Sequence, residues 1–257
     1  MLKFFKPFEP TTRNQRLTIG LVWLVVLGII WGIYGTMGET HMFPTPSQVW
    51  DGFSELYSEG LMVHVISSLA LCGKAVFVGV LLSLAFVYLS PIPIIKPISY
   101  MVSKLRYLPL TGLAFYITMM VSSGRSIQVW ILVIFMGTFL TTSLLSMVKN
   151  IAQEEFDHAR ALGCSRWEIV WEVIIKGRLD YVLETIRQNL AIIYVMLVTV
   201  ESIMVASGGL GFLIKNSDKQ MNHGRIVALQ LVILLIGLGL DFALTKLRKF
   251  SFRYSKY

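Results

Sequence analysis

Few residues in this chain could do chemistry, and two of them stand where charge is costly. Lys74 lies near the middle of one apolar run, and Glu201 lies about 20 Å along another helix from its inner start at 1.5 Å per residue. Ionisable groups at membrane depth default to functional roles, so each has two readings. Lys74 could meet an anionic solute or pair with Glu201. Glu201 could face cargo, or it could be a buried acid fixing helix packing near an outer gate; its charge would repel an anion, which favours packing if the cargo is an oxyanion. Gln128, Asn189, Tyr194 and Thr199 could line a polar path, although hydrogen bonding between helices is the commoner use of such groups.

Covalent chemistry finds little support. Neither His-Glu-x-x-His nor Gly-x-Ser-x-Gly occurs. Cys72 and Cys164 offer no disulfide framework and no metal-ligand spacing, so no metal site is expected. No Gly-x4-Gly-Lys-Ser/Thr phosphate cradle is present, and "ASGGLG" lacks the following Lys. Gly208, Gly209 and Gly211 therefore read as tight-turn glycines at the outer end of a span.

The elements that must carry these residues are apolar. Of 257 residues, 55% are hydrophobic and 15% charged, and the mean hydropathy is +0.67, which places the chain in a bilayer. A hydrocarbon core takes about 20 residues of helix. The sequence suggests six spans: Leu17 to Met37, Leu61 to Leu89, Leu108 to Val121, Val129 to Val148, Leu190 to Ala206 and Ile226 to Leu244. The third is short and is extended backward through "IKPISYMVSKLRYLPL", with Pro97 and Pro109 tolerated where neighbouring helices satisfy the freed carbonyls. The first is too long for a signal-peptide core and no small-x-small cleavage site follows it, so it is expected to stay attached.

Net charge is +8, with 23 Lys and Arg against 15 Asp and Glu. With the N-terminus inside, only Arg125, Lys215, Lys219 and Arg225 fall in outer segments and Lys74 in a span, while every other basic residue is inner. That is the positive-inside bias, and it accounts for the basicity without nucleic acid. We expect an all-α membrane protein with both termini cytoplasmic: a tail at 1–16, a permease-like membrane domain at 17–247 and a tail at 248–257. In the first outer loop, Ser47 could cap a short helix with Val49, Trp50, Phe53, Leu56 and Tyr57 on one face, lying on the outer surface as an interfacial anchor or meeting an external partner.

The segment 149–187 is the most organised inner connection. Glu154 to Leu162 suits a short helix with acids in its first turn, and Gly163 sits where a left-handed C-terminal cap is needed. Ser165 and Glu168 have capping-box spacing, and Trp167, Val170, Trp171 and Ile174 form an oily face on the helix that follows. A capped knob of this kind suits another protein's groove; on the residues alone, an interfacial helix closing the bundle is the other reading.

"DHARALGCSRWEIVWEVI" resembles the cytoplasmic loop of ABC-type importer permeases. Asp157, His158, Ala159 and Gly163 fall on the Glu-Ala-Ala and Gly positions of that motif, with Asp for Glu, His for the first Ala, and Lys176 where Pro is usual. "FPTPSQVW", "HVISSLALCGKAV", "LRYLPLTGLAFYITMMVSSGRS" and "VESIMVASGGLGFLI" look like landmarks of the nitrate, sulfonate and taurine subfamily, although Leu71 and Ala75 replace its usual Arg and Gly. The resemblance implies a type I ABC importer permease fold working as two copies in a bacterial-type inner membrane. It further implies two ABC ATPase subunits docked on Asp157, His158, Ala159, Arg160, Ala161, Leu162, Gly163, Cys164 and Ser165, and an external solute-binding protein. No cofactor is expected on this chain; ATP and Mg would belong to the ATPase. A small oxyanion or organosulfonate is the implied cargo, with a pyrimidine-type vitamin precursor or an ATP-independent secondary transporter as alternatives.

Overall fold

The computed structural model describes residues 12–37, 44–204 and 208–251. The outer parts of both expected tails, the start of the first outer loop and the three residues before Gly208 lie outside the described residues. Every regular element described is helical: α1 Arg13–Met37, α2 Pro46–Ser58, α3 Leu61–Tyr88, α4 Lys96–Lys104, α5 Leu110–Met120, α6 Gly124–Lys149, α7 Gln153–Ala161, α8 Arg166–Ile169, α9 Leu179–Ile203, α10 Leu210–Lys219 and α11 His223–Ser251.

Among the described residues, five helical stretches are long and apolar enough to cross a membrane: Asn14–Gly35, Leu61–Tyr88, Gly124–Lys149, Arg166–Ile203 and His223–Ser251. The expected third span differs. It is broken into α4, a 3₁₀ turn at Leu105–Tyr107, and α5, whose 11 residues reach only about 16 Å. Proline chemistry supplies the reason. The residue before a proline is driven out of the helical region, and Leu108 is extended (φ −72°, ψ 131°) where it precedes Pro109.

The centre of the bundle is α6 packed between α3 and α9. Leu132, Met136, Leu140 and Leu144 of α6 are fully buried at four-residue intervals, the spacing that places them on one face. Gly79 lets α3 approach, because a Cβ there would stand 2.7 Å from Met136 Cγ. The Ser83 hydroxyl adds polar contact at 2.8 Å from the Gly79 carbonyl and 3.1 Å from that of Gly137. At the end of the bundle where α6 finishes, α7 and α8 lie between α6 and α9.

The first outer helix departs from expectation in its cap and its placement. Thr45, not Ser47, caps α2: the Thr45 amide donates to Gln48 Oε1 at 2.9 Å and the Gln48 amide to the Thr45 hydroxyl, with Pro46 as the first helical residue. Pro lacks an N–H that would have been orphaned there, so the cap falls one residue before it. Nor does α2 present one oily face to lipid. Val49, Gly52 and Leu56 are buried, whereas Trp50 and Tyr57 are exposed. Gly52 and Gly224 bring α2 onto α11: a Cβ at Gly52 would lie 2.8 Å from the Arg225 nitrogen. Arg225 is itself buried and ion-paired with Glu59.

Candidate functional site

The inner knob is built by local backbone chemistry. At the end of α7 the Gly163 amide donates to the Arg160 carbonyl at 2.9 Å and the Cys164 amide to the Ala159 carbonyl at 3.1 Å. These are the paired bonds of a Schellman ending, which requires a left-handed residue, and Gly163 has φ +80°. The next helix begins at once: the Ser165 amide donates to Glu168 Oε2 at 2.6 Å and the Glu168 amide to the Ser165 hydroxyl at 3.4 Å. The expected cap and capping box are thus both present, with α7 running Gln153–Ala161.

This knob is rigid but protrudes. Leu162 is 83% exposed, and a Cβ at Gly163 would meet nothing within 4 Å. Ala159 is buried and holds the inner side of α7, while an ion pair between Arg178 and Glu155 ties α7 to the start of α9. His158, Arg160, Ala161, Gly163 and Ser165 are exposed, as is Asp157, which pairs with Arg160 at 2.9 Å. Cys164 is half-buried. The oily face expected after Ser165 is only partly sequestered: Ile174 is buried, but Trp167 and Trp171 are exposed. The turns run on into α9 through an irregular junction, with Arg178 outside the helical region (φ −127°, ψ 12°). The helix widens to π geometry at Val170–Ile175 and tightens to a 3₁₀ turn at Lys176–Arg178. Lys176, at the position without proline, keeps its amide and stays helical (φ −64°, ψ −45°).

The outer end holds a second construction, centred on Glu201. Its carboxylate is fully buried and accepts the Ser68 hydroxyl at 2.8 Å and the Gly211 amide at 3.1 Å, while the Ser68 oxygen accepts the Leu210 amide at 2.9 Å. Glu201 and Ser68 therefore satisfy the first amides of α10, where negative charge is favoured. The Gly209 amide donates to His64 Nδ1 at 3.1 Å. Gly208 and Gly209 have φ +72° and +116°, as tight-turn glycines should, and a Cβ at Gly209 would lie 2.3 Å from the Glu201 carboxylate. A Cβ at Gly211 would lie 2.1 Å from the Val198 carbonyl.

The remaining path candidates separate. Lys74 is exposed on α3, and among the described residues no ion pair joins it to Glu201. The geometry forbids the expected pairing, because Lys74 lies six residues beyond Ser68, about 240° round the helix at 3.6 residues per turn. Thr199 is exposed and donates to the Val195 carbonyl at 3.1 Å. Asn189 is buried, donating to the Thr185 carbonyl at 2.8 Å, and Gln128 is fully buried, donating to the Met204 carbonyl at 2.9 Å. Gln128 thereby joins α6 to the end of α9, whereas the Thr185 bond lies within α9 and Asn189 reaches α6 only through the Ser143 hydroxyl at 3.4 Å. Tyr194 is buried in the α9–α11 contact with a hydroxyl that has no partner.

Sequence reasoning passed over several residues. Ser68 carried no local signal, because its partners lie far along the chain, whereas His64 is an ionisable residue inside an apolar run. Asp241 did carry one: like Lys74 and Glu201, it is an ionisable residue inside an apolar run. It pairs with Arg187, which also pairs with Glu184 at 2.6 Å, and Glu184 in turn pairs with Arg248 at 2.6 Å.

Residues 75–250 match the family described as the binding-protein-dependent transport system inner membrane component. The chain belongs to this family. It is 28% identical over 251 residues to the taurine transport system permease protein TauC of Escherichia coli, covering 93% of this chain and 90% of the relative. Its fold is similar to that of the MetNI methionine ABC transporter in an inward-facing conformation (TM-score 0.64, 17% identity, 74% of this chain and 94% of that chain). It is also similar to an amino acid ABC transporter (TM-score 0.61, 17% identity, 77% and 95%). The protein is thus the permease subunit of an ABC importer for a small solute, with the fold of such permeases.

Proposed function

We propose that two copies of this permease pass a small organosulfonate or oxyanion across a bacterial-type inner membrane, driven by two separate ATPase subunits seated on the knob from Asp157 to Ser165. The likeness to a taurine permease along 93% of the chain supports the solute class. ATP and Mg would be held by the ATPases, and an external binding protein would deliver the solute. Six crossings with both termini inside follow if α4 and α5 together complete the third.

The observation that carries this reading is the knob itself: an exposed, doubly capped turn joined to α9 through continuous π and 3₁₀ turns, with a bend at Arg178. A push on a rigid lever moves the helix attached to it. Closure of the ATPase dimer would displace the knob, rotate α9 as a body and open the path to the other side. Such work requires that the ATPases bind the two arrangements of the knob with unequal affinity.

Gly163→Asp tests this directly. The left-handed region penalises residues with a Cβ, Asp less than most, so the main effect is a carboxylate added at the docking surface. In proteoliposomes containing the whole system, ATP-driven uptake should fall at least tenfold while the complex still forms its helices. Uptake at the unmodified rate would contradict the coupling role.

A further inference from the structure

At the knob end of the bundle lies a cavity of about 300 Å³ whose charged lining residues, among those described, are two lysines, Lys96 and Lys149. Lys96 is the first residue of α4 and Lys149 the last of α6. The fold brings them to one level. The Ser99 hydroxyl donates to the Phe86 carbonyl at 2.7 Å, near the end of α3, and the Thr142 hydroxyl, two turns back along α6, donates to the Ser103 carbonyl at 3.1 Å. Thus α4 starts at the knob end and rises alongside α6. The 26 residues of α6 span about 39 Å, more than a hydrocarbon core about 30 Å thick, so its ends reach headgroup depth.

Three features set this cavity apart from scattered surface charge. First, its cations are uncompensated: no acid lines it, and among the described residues neither lysine has an ion pair. Neighbouring basic residues at this end do have partners, Lys176 with Glu172, Arg178 with Glu155, and both Arg187 and Arg248 with Glu184. Second, Tyr100, one turn after Lys96, adds a hydroxyl that has no hydrogen-bond partner among the described residues. Third, the floor is apolar. Leu145 and Ile174 are buried and Phe156 is half-buried, while on α4 Met101 and Leu105, one turn apart, continue as exposed apolar surface toward the membrane interior. Phe156 shares a face of α7 with the buried Ala159, so the cavity lies behind the knob and not at its exposed tip, Leu162.

A pair of cations over an apolar floor, at the boundary of hydrocarbon and headgroup, is complementary to an acidic lipid, and basic pockets between membrane helices take such headgroups. We infer that this cavity binds one anionic glycerophospholipid, whose phosphate takes the ammonium groups of Lys96 and Lys149 and the Tyr100 hydroxyl, and whose acyl chains run along Met101 and Leu105. Each ammonium offers three N–H donors to the phosphate oxygens, and the bound anion offsets the repulsion of two like charges facing one cavity. A zwitterionic lipid would bring its own cation against the same lysines. Free phosphate would make the polar contacts and leave the apolar floor uncovered, which favours the lipid as the source of the phosphate.

Native mass spectrometry of the intact permease–ATPase complex, released from nanodiscs of phosphatidylglycerol or of phosphatidylcholine, counts the lipid that stays bound. The complex should retain phosphatidylglycerol at least tenfold over phosphatidylcholine. Lys96→Gln combined with Lys149→Gln should erase that preference, whereas Lys96→Arg combined with Lys149→Arg should keep it. Lys246→Gln combined with Lys249→Gln removes the same charge from the end of α11 and should leave the preference unchanged. An unchanged preference after the first pair of substitutions overturns the assignment, because the lipid then sits elsewhere; an equal loss from the α11 pair overturns it too, because basic surface in general then attracts the lipid. Inorganic phosphate separates the two sources. At millimolar concentration it should leave phosphatidylglycerol bound, and full displacement would make the cavity a simple anion site and overturn the lipid assignment.

Discussion

Gly211 and Glu201 show how much of this permease turns on single atoms. A methyl at Gly211 would meet the Val198 carbonyl, which is backbone and cannot rotate away. Gly211→Ala should therefore force α10 off α9 and cost about 1–3 kcal/mol, the usual range for overpacking, read as a lower unfolding temperature in detergent. Glu201→Ala should cost a similar amount by stranding the Ser68 hydroxyl and the Gly211 amide, since an unsatisfied buried group costs about 1–3 kcal/mol. Lys74→Gln, by contrast, should not lower stability, since it removes a charge from an apolar run where charge is costly. The sequence marked Lys74 and Glu201 by the same criterion of charge at depth and favoured a packing role for Glu201, without naming its partners. Ser68 lies 133 positions from Glu201, and a contact at that separation leaves no trace in local pattern.

At the scale of elements, the α7–α8 knob was the most legible part of the chain because its determinants lie within a few residues of one another. The left-handed glycine, the Ser165–Glu168 box and the acids in the first turn of α7 all act locally, and the folded chain uses them as their chemistry requires. Ser165→Ala should lose about 1 kcal/mol of this cap and lower coupling in ATP-driven uptake without abolishing it. Cys164 provides a native probe of docking, since the other cysteine, Cys72, is buried. A short thiol-reactive crosslinker should join Cys164 to the ATPase in the assembled complex. Crosslinks to lipid-facing positions with none to the ATPase would oppose the proposed seat. What the sequence concealed was how elements join. Pro109 breaks an apolar run that looked like one span, while Lys176, where a proline was expected, lets α8 run through a π segment into α9. The cap of α2 also shifted from Ser47 to Thr45 once Pro46 took the first helical position.

At the scale of the whole molecule, apolar length and positive-inside charge placed the chain in a membrane, and the family match agrees. Burial inside the bundle is graded. The apolar window of α6 is 61% buried and that of α11 only 11%, while that of α1 is 0% buried. The outer helices therefore have faces left for lipid and for neighbouring chains, whereas α3, α6 and α9 pack together at the centre. The most direct measurement is solute uptake into proteoliposomes holding the permease and binding protein, with and without the ATPase subunits and ATP. The account predicts accumulation only when both ATPase and ATP are present; undiminished accumulation in their absence would contradict it.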